Sequence, residues 1–308
     1  MSLDHAEQLS IALALEACLG YPNALYRHIR HPVVWIGDFI SAREQEWNTR
    51  HGKRNYVKGA LLLGLVMLIA GIVAWLIERL PDRTFAIVAL LMATTGLAQR
   101  SLYAHVVAVL EPLLANDLRR ARSNVARIVG RDTAALDEVG IATAATESLA
   151  ESFCDGVIAP AFWFLVAGLP GLFIYKAVNT ADSLIGHRDE RYRAFGWAAA
   201  RIDDVMNLIP ARIAGLLLCL ARLRGFDIMC RDAGKHASPN AGWSEAAMAG
   251  ALGVQLGGPA SYDGEPTWRA TFGDGPKPSA NHLREALRVY ITACLLLWLL
   301  IGAMAWLR

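Results

Sequence analysis

The stretch YVKGALLLGLVMLIAGIVAWLI, from Tyr56, constrains this chain more than any other. From Val57 to Ile77 it carries one charged residue, Lys58. A helix needs about 20 consecutive apolar residues to cross a bilayer core. This run therefore reads as a transmembrane helix. Arg50, Lys53, Arg54 and Lys58 precede or open it, which sets its N-terminal end on the cytoplasmic side. Pro81-Asp82 then turns the chain, and Thr84 to Ala98 returns as a short span that tilts to make up its length. Val289 to Leu307 is a last span, with Arg284 and Arg288 ahead of it. The composition agrees. Apolar residues make up 55% and charged residues 19%, below the roughly 25% of soluble domains. The expectation is one all-α, polytopic integral membrane domain over residues 1–308, with a cytoplasmic helical and loop region carrying the active site. Spans fall near 57–79, 84–98 and 289–307, a membrane-embedded or re-entrant segment at 156–178, and a further apolar helix at 205–223. The net charge of +2 implies no polyanion and no nucleic acid as partner. The five cysteines form no CxxC pair and no zinc spacing. The acidic start, MSLDHAEQLS, is unlike a signal peptide.

Leu9 to Gly20 is apolar but short and contains Glu16, so it reads as a short or interfacial helix ended by Tyr21-Pro22-Asn23. His31-Pro32 opens the compact apolar element HPVVWIGDFI. The return span continues in helical pattern through QRSLYAHVVAVLEPLL to the basic residues Arg119, Arg120 and Arg122. Arg100 falls near the membrane boundary, where it either snorkels to headgroups or holds an anion. Residues 225–286 are loop-rich and soluble in character. There Ser238-Pro239-Asn240-Ala241-Gly242 forms a turn before a small-residue helix, Ser244 to Leu252. Amides at a helix N-terminus attract phosphate, and Lys235 and His236 lie just upstream; the alternative is a plain capped turn. No GxxxxGK[ST] occurs, so a Walker-A loop is excluded.

Two polar blocks flank the apolar run Val157 to Val178. Ionisable groups beside such sequence are costly to place. In the first block, Asp132-Thr133 reads as a helix N-cap with Glu138 in the following turn. Glu147, Glu151 and Asp155 then recur every four residues and share one face if the helix continues. Like charges at that spacing repel, so Mg²⁺, Arg or Lys is expected against them. Within the run, Ala167-Gly168-Leu169-Pro170-Gly171 has the composition to turn the chain. Each half is then of re-entrant length, and both polar blocks stay cytoplasmic. The second block holds Asn179, Asp182, Asp203, Asp204 and Asn207. Adjacent carboxylates on a short helix either bind Mg²⁺ or pair with arginine, for which Arg201 and Arg212 are the local candidates.

The segment from Ile128 to Arg212, the Arg-Ser-Leu at Arg100 and SPNAGWSEAAMAGALGVQLGGPASY resemble the cobinamide-phosphate synthase family (CobD/CbiB). The pattern E-x-x-x-E-x-x-x-D, and Asn179, Asp182, Asp203, Asp204, Asn207 and Pro210-Ala211-Arg212, match it. Ser152 stands where the family usually has Asn, and Tyr21 where it usually has Asp. The resemblance covers roughly residues 11 to 305. It implies adenosylcobinamide-phosphate synthase activity in cobalamin biosynthesis. Such an enzyme joins the f propionate carboxylate of adenosylcobyric acid to aminopropanol phosphate (or ethanolamine phosphate) in an amide, using ATP and Mg²⁺. It further implies a multi-pass protein of the bacterial inner membrane with a cytoplasmic site, possible contact with other corrinoid-pathway enzymes, and the lipid bilayer as partner.

Activating a carboxylate needs a cation on phosphate, carboxylates for Mg²⁺ and a base for the amine. The expected catalytic residues are Glu147, Glu151, Asp182 and Asp204, and the expected metal ligands Glu151, Asp155 and Asp203. Substrate or ATP contacts are expected from Arg100, Arg131, Lys176, Asn179, Arg191, Asn207, Arg212, Ser238 and Asn240, with Lys235 as a further cation. Two other classes fit parts of the pattern. A carrier of a corrinoid or another anion would also use broken helices and intramembrane charge, but would form no amide from ATP. A scaffold that docks corrinoid enzymes would tolerate loss of the acidic ladder.

Overall fold

The structure, a computed structural model, describes residues 4–21, 30–48, 52–262 and 264–307. Pro22-Asn23 and Arg50 lie outside them. Of the described residues, 73% are helical and 3% strand. Among the described residues, four helical stretches are long and apolar enough to cross a membrane: Arg54–Glu78, Thr84–Leu114, Glu138–Ile185 and Ala280–Trp306. The protein is an all-α polytopic membrane protein, as its hydropathy predicts.

Local chemistry sets the helix ends. Helix α1, His5–Leu19, starts ahead of the apolar run because Asp4 and Glu7 form a capping box. In α2, Pro32–Trp47, Pro32 takes the first helical turn and His31 Nδ1 accepts from the Val33 N–H. The span α3, Arg54–Glu78, is followed by α4, Asp82–Gly96, after Pro81. The expected continuous return helix is broken: Leu97 is extended, with φ −100° and ψ 153°, and α5 restarts at Gln99–Leu114. Asp117 caps α6, Leu118–Val125. The cap of α7, Glu138–Phe153, is Asp137, whose carboxylate accepts from Gly140 N at 2.7 Å. Asp132 is not the cap; it accepts from Ser261 Oγ and Gly264 N instead. One π-helical turn, Cys154–Ile158, leads into α8, Ala159–Ile185. Then come α9, Trp197–Met206, α10, Leu208–Leu220, and α11, Phe226–Asp232. In the region expected to be loop-rich, α12, Ala241–Leu252, precedes two antiparallel pairs. These join β1, Leu256–Gly257, to β4, Thr271–Phe272, and β2, Ala260–Tyr262, to β3, Glu265–Thr267. Helix α13 is Ala280–Trp306.

The chain divides into two compact units. The first comprises residues 1–98, 159–207 and 301–308. Its core joins α3 to α8 through Leu62, Val66, Ala70, Ala177, Val178 and Ala181. Gly59 permits close approach, since a Cβ there would sit 1.7 Å from the Phe195 carbonyl oxygen. The other side of α3, including Leu61, Leu68, Ile72 and Leu76, is exposed and apolar, as a lipid-facing surface is. Helix α8 is interrupted at Ala167 (φ −141°, ψ 22°) and Gly168 (φ 58°, ψ −148°). A Cβ on Gly171 would lie 2.3 Å from the Trp163 carbonyl oxygen. Residues eight apart in a straight helix are about 12 Å apart, so the chain bends sharply at the break. Gly168 stops one half and Pro170 opens the next, as the Gly-Leu-Pro-Gly sequence predicts.

The second unit comprises residues 99–158 and 208–300. Helix α12 is its centre, with Ser244, Glu245 and Ala246 to Ala249 buried. Its small side chains bring backbones together: a Cβ on Gly250 would lie 2.6 Å from the Gly225 Cα. Asp232, wholly buried at the end of α11, accepts from Arg231, Lys235 and the Gly273 N–H. These bonds hold its pKa below the ordinary carboxylate range, the Arg231 bond contributing most. They also tie α11 to the β4 end.

Candidate functional site

In the second unit, the acidic ladder begins on a buried carboxylate. Glu147 is 2% exposed. Its Oε2 accepts from Arg131 and, at 2.6 Å, from Arg269; its Oε1 accepts from the Gly257 N–H at 2.6 Å. At Glu147 the cations set against the ladder are arginines. Arg131 comes from the loop before α7, which Asp132 pins to the β2–β3 hairpin. Arg269 comes from the loop between β3 and β4. Burial opposes the Arg269 charge, but the Glu147 and Glu245 carboxylates outweigh it and raise its pKa above the ordinary value. Glu245, on α12, is completely buried, 3.4 Å from Arg269 and 3.6 Å from His236 Nε2. Burial foremost, then the charges of Glu147 and Glu151, push its pKa well above the usual carboxylate range. One cluster thus holds a Glu147 tied by two guanidiniums and, beside it, a Glu245 that favours its proton.

Glu151 is exposed one turn beyond Glu147, and Asp155 is half-buried in the π turn. The face expected to run straight through all three residues is thus rewound at its third, because the π turn alters the angle per residue. The Ser238–Gly242 turn is also built in this unit. Ser238 Oγ accepts from the Asn240 N–H at 3.2 Å and its own N–H donates to His236 Nδ1. Asn240 is buried at the N-cap position of α12, but its side chain makes no capping bond; its Oδ1 accepts from Arg212 at 2.9 Å. Arg212 also lies over the Trp243 ring. Lys235 is engaged by Asp232 at 2.6 Å. Arg100 is exposed near the start of α5.

The first unit holds the second polar block. Asp203 is 8% exposed and accepts from Asn207 at 2.9 Å and Asn179 at 3.4 Å. Tyr175 donates to Asn207 Oδ1, and Lys176 to Asn179 Oδ1. Burial raises the Asp203 pKa and the two amides oppose it, with Asp204 adding a smaller upward push. Asp204 lies 3.6 Å from Arg201. Asp182 is half-buried and folds over Gly186, where a Cβ would meet its Oδ1 at 1.9 Å. Arg191 clamps Glu44 through two bonds of 3.0 and 2.9 Å. Among the described residues no group of three or more His, Cys, Asp and Glu is placed to hold a metal ion.

Arg269, Glu245, Gly257, Tyr175 and Glu44 are the members that sequence reasoning missed. Gly257 carried a signal in its Gly-Gly-Pro context: its φ is +78° and a Cβ would meet the Ala270 carbonyl oxygen at 1.9 Å.

These helices and buried charge clusters define a polytopic helical membrane protein with a built polar site in each unit. The chain belongs to the CobD/CbiB family, whose model, described as CobD/Cbib protein, matches residues 9–290. It is similar to proteins named "Cobalamin biosynthesis protein CobD" in three bacteria. For Rhodobacter capsulatus it is 45% identical over 315 residues, covering 98% of both chains. For Brucella anthropi it is 46% identical over 305 residues, 94% of this chain and 91% of the relative. For Rhizobium meliloti the figures are 42% over 302 residues, 93% and 92%. No solved structure matches the chain.

Proposed function

We propose that this protein acts on corrinoids in cobalamin biosynthesis, as the adenosylcobinamide-phosphate synthase. The substrates are adenosylcobyric acid, aminopropanol phosphate and ATP, and the site faces the cytoplasm from the bacterial inner membrane. Family membership over nearly the whole chain supports the pathway. The observation that carries the chemistry is Glu147 tied to Arg131, Arg269 and the Gly257 amide, with exposed Glu151 one turn on.

A free carboxylate is a poor acyl donor. Its oxygen attacks the γ-phosphorus of ATP, ADP leaves, and an acyl phosphate forms. The amine then attacks the acyl carbon, phosphate leaves, and the amine proton passes to a carboxylate. Arg131 and Arg269 hold positive charge in place for the phosphoryl oxygens before they arrive, which is the useful form of electrostatic stabilisation. Glu147 fixes their geometry and is a positioning residue. Mg²⁺ in such sites takes one or two carboxylates and completes its shell with water and phosphate. Glu151 and Asp155, on consecutive turns, suit an ion that comes with the nucleotide. Bound there, it would neutralise phosphate charge. We assign Asp182 and Asp204 no step.

The bent helix α8 and charge within the membrane are features a carrier would share; ATP turnover separates the two readings. Purified full-length protein in nanodiscs is incubated with adenosylcobyric acid, aminopropanol phosphate and Mg·ATP. Mass spectrometry should find the amide, with one ADP per product. Corrinoid binding without amide or ADP would favour the carrier. Glu151→Gln should lower the rate on the order of 10², with partial rescue by excess Mg²⁺. A folded variant within about twofold of wild type would remove Glu151 from metal binding.

A further inference from the structure

The first unit contains a cavity of about 390 Å³ between α2, α3, α4 and the second half of α8. Phe39, Val66, Val73, Met92 and Leu172 are among its walls. Two polar side chains reach it: Thr95, whose hydroxyl donates to the Met92 carbonyl, and Lys176. The α3 residues involved, 66–73, are the middle of a helix long enough to cross a membrane. Gly71 beside Ile174 fixes the α8 segment at the same level. Lys176 therefore lines an apolar cavity at mid-span depth, where a cation is costly and marks function. The cavity also has a side entrance. Its wall residues Trp35, Ile69 and Val73 are 53%, 43% and 43% exposed, and the last two lie on the span α3.

We propose that this cavity binds a single-chain anionic amphiphile, a long-chain fatty acid, with the chain against the apolar walls and the carboxylate at Lys176. Each part of the ligand answers a feature. The apolar lining excludes a nucleotide, whose base and phosphates would lose their hydrogen bonds there. The volume lies at the low end of the ~300–1,000 Å³ of ligand pockets, enough for one chain rather than two. The charge at one end selects an acid over a neutral lipid. Lys176 donates to Asn179, which leads away from the cavity into the polar Asp203 group, so the head end is the polar end. His31, close to Lys176, is held below the ordinary imidazole range, first by burial and then by the Lys176 charge. It adds no second cation.

The test uses full-length protein in nanodiscs of zwitterionic lipid and radiolabelled palmitate, with hexadecanol as the neutral analogue. Palmitate should bind saturably. Hexadecanol should bind at least about tenfold more weakly, the effect of one charge-assisted contact. Lys176→Met should lose palmitate by a similar factor and Lys176→Arg should keep it. Val73→Trp, which fills the cavity from its mouth, should block binding while leaving the thermal midpoint near that of wild type. Equal affinity for palmitate and hexadecanol would overturn the proposal. So would palmitate binding that survives Val73→Trp, or native mass spectrometry showing a tightly held phosphatidylglycerol that palmitate does not displace. If Lys176→Met fails to fold, the hexadecanol comparison and Val73→Trp still decide.

Discussion

Glu147 and Arg269 are 122 positions apart and meet at 2.6 Å. The four-residue acidic spacing announced that a cation was required, and Arg131 stood nearby in sequence. Arg269 had no such signal, because it sits in an unpatterned loop and only the β1–β4 pairing brings that loop to α7. Removing one partner of a buried pair costs about 3–5 kcal/mol, since the other charge is left uncompensated. Arg269→Met should destabilise the protein by an amount of that order in denaturant unfolding, and adding Glu147→Gln should recover part of it. Independent, additive losses would mean the pair is not coupled. Asp203 makes a prediction about pH. Its pKa is raised in the fold, chiefly by burial. A carboxyl of this kind contributes stability fully below the unfolded value, about 3.9. The contribution is lost as pH rises through the folded value. Wild type should therefore lose stability relative to Asp203→Asn as pH climbs from 4 toward neutrality. Parallel stability profiles for the two proteins would refute the assignment.

Among elements, α8 was the most legible in its interruption and α7 the least in its continuation. Gly168-Leu169-Pro170-Gly171 combines a residue free to take positive φ with one that prefers a first helical turn, and the bend falls there. The π turn at Cys154–Ile158 follows an unbroken helical pattern, so periodicity carries no trace of it. Asp132 is drawn off to the β2–β3 hairpin, a partner far away in sequence, and Asp137 caps α7 in its place. A Cβ on Gly168 would meet His5 Nε2 at 2.9 Å, and its φ of 58° is unfavourable for other residues. Gly168→Ala should cost about 1–3 kcal/mol. Gly130→Ala is a fair control, because nothing lies within 4 Å of a Cβ there. Thermal unfolding in nanodiscs checks both; equal midpoints would contradict the bend.

At the scale of the molecule, the membrane class followed from hydropathy alone, because a span cannot hide its composition. The division into two units did not. Its boundaries fall at 98–99, 158–159, 207–208 and 300–301, within or between helices that carry no linker composition. The charged loop after α8 gives a topological prediction. Asp189→Cys should react with an impermeant thiol reagent only when the cytoplasmic face is open; labelling from the outer face alone would reverse the assignment of sides. The interleaving of the units also bears on how the protein is made. Helix α3 packs on α8, yet roughly 100 residues separate the two in synthesis, a delay of about 5–20 s at ~5–20 residues per second. Through that interval α3 stands in the bilayer with α2 and α4 beside it, while Leu62 and Val66 lack α8 and Gly59 lacks Phe195. A nascent chain stalled before Ala159 leaves the α8-facing side of α3 uncovered, the kind of surface that membrane quality control removes.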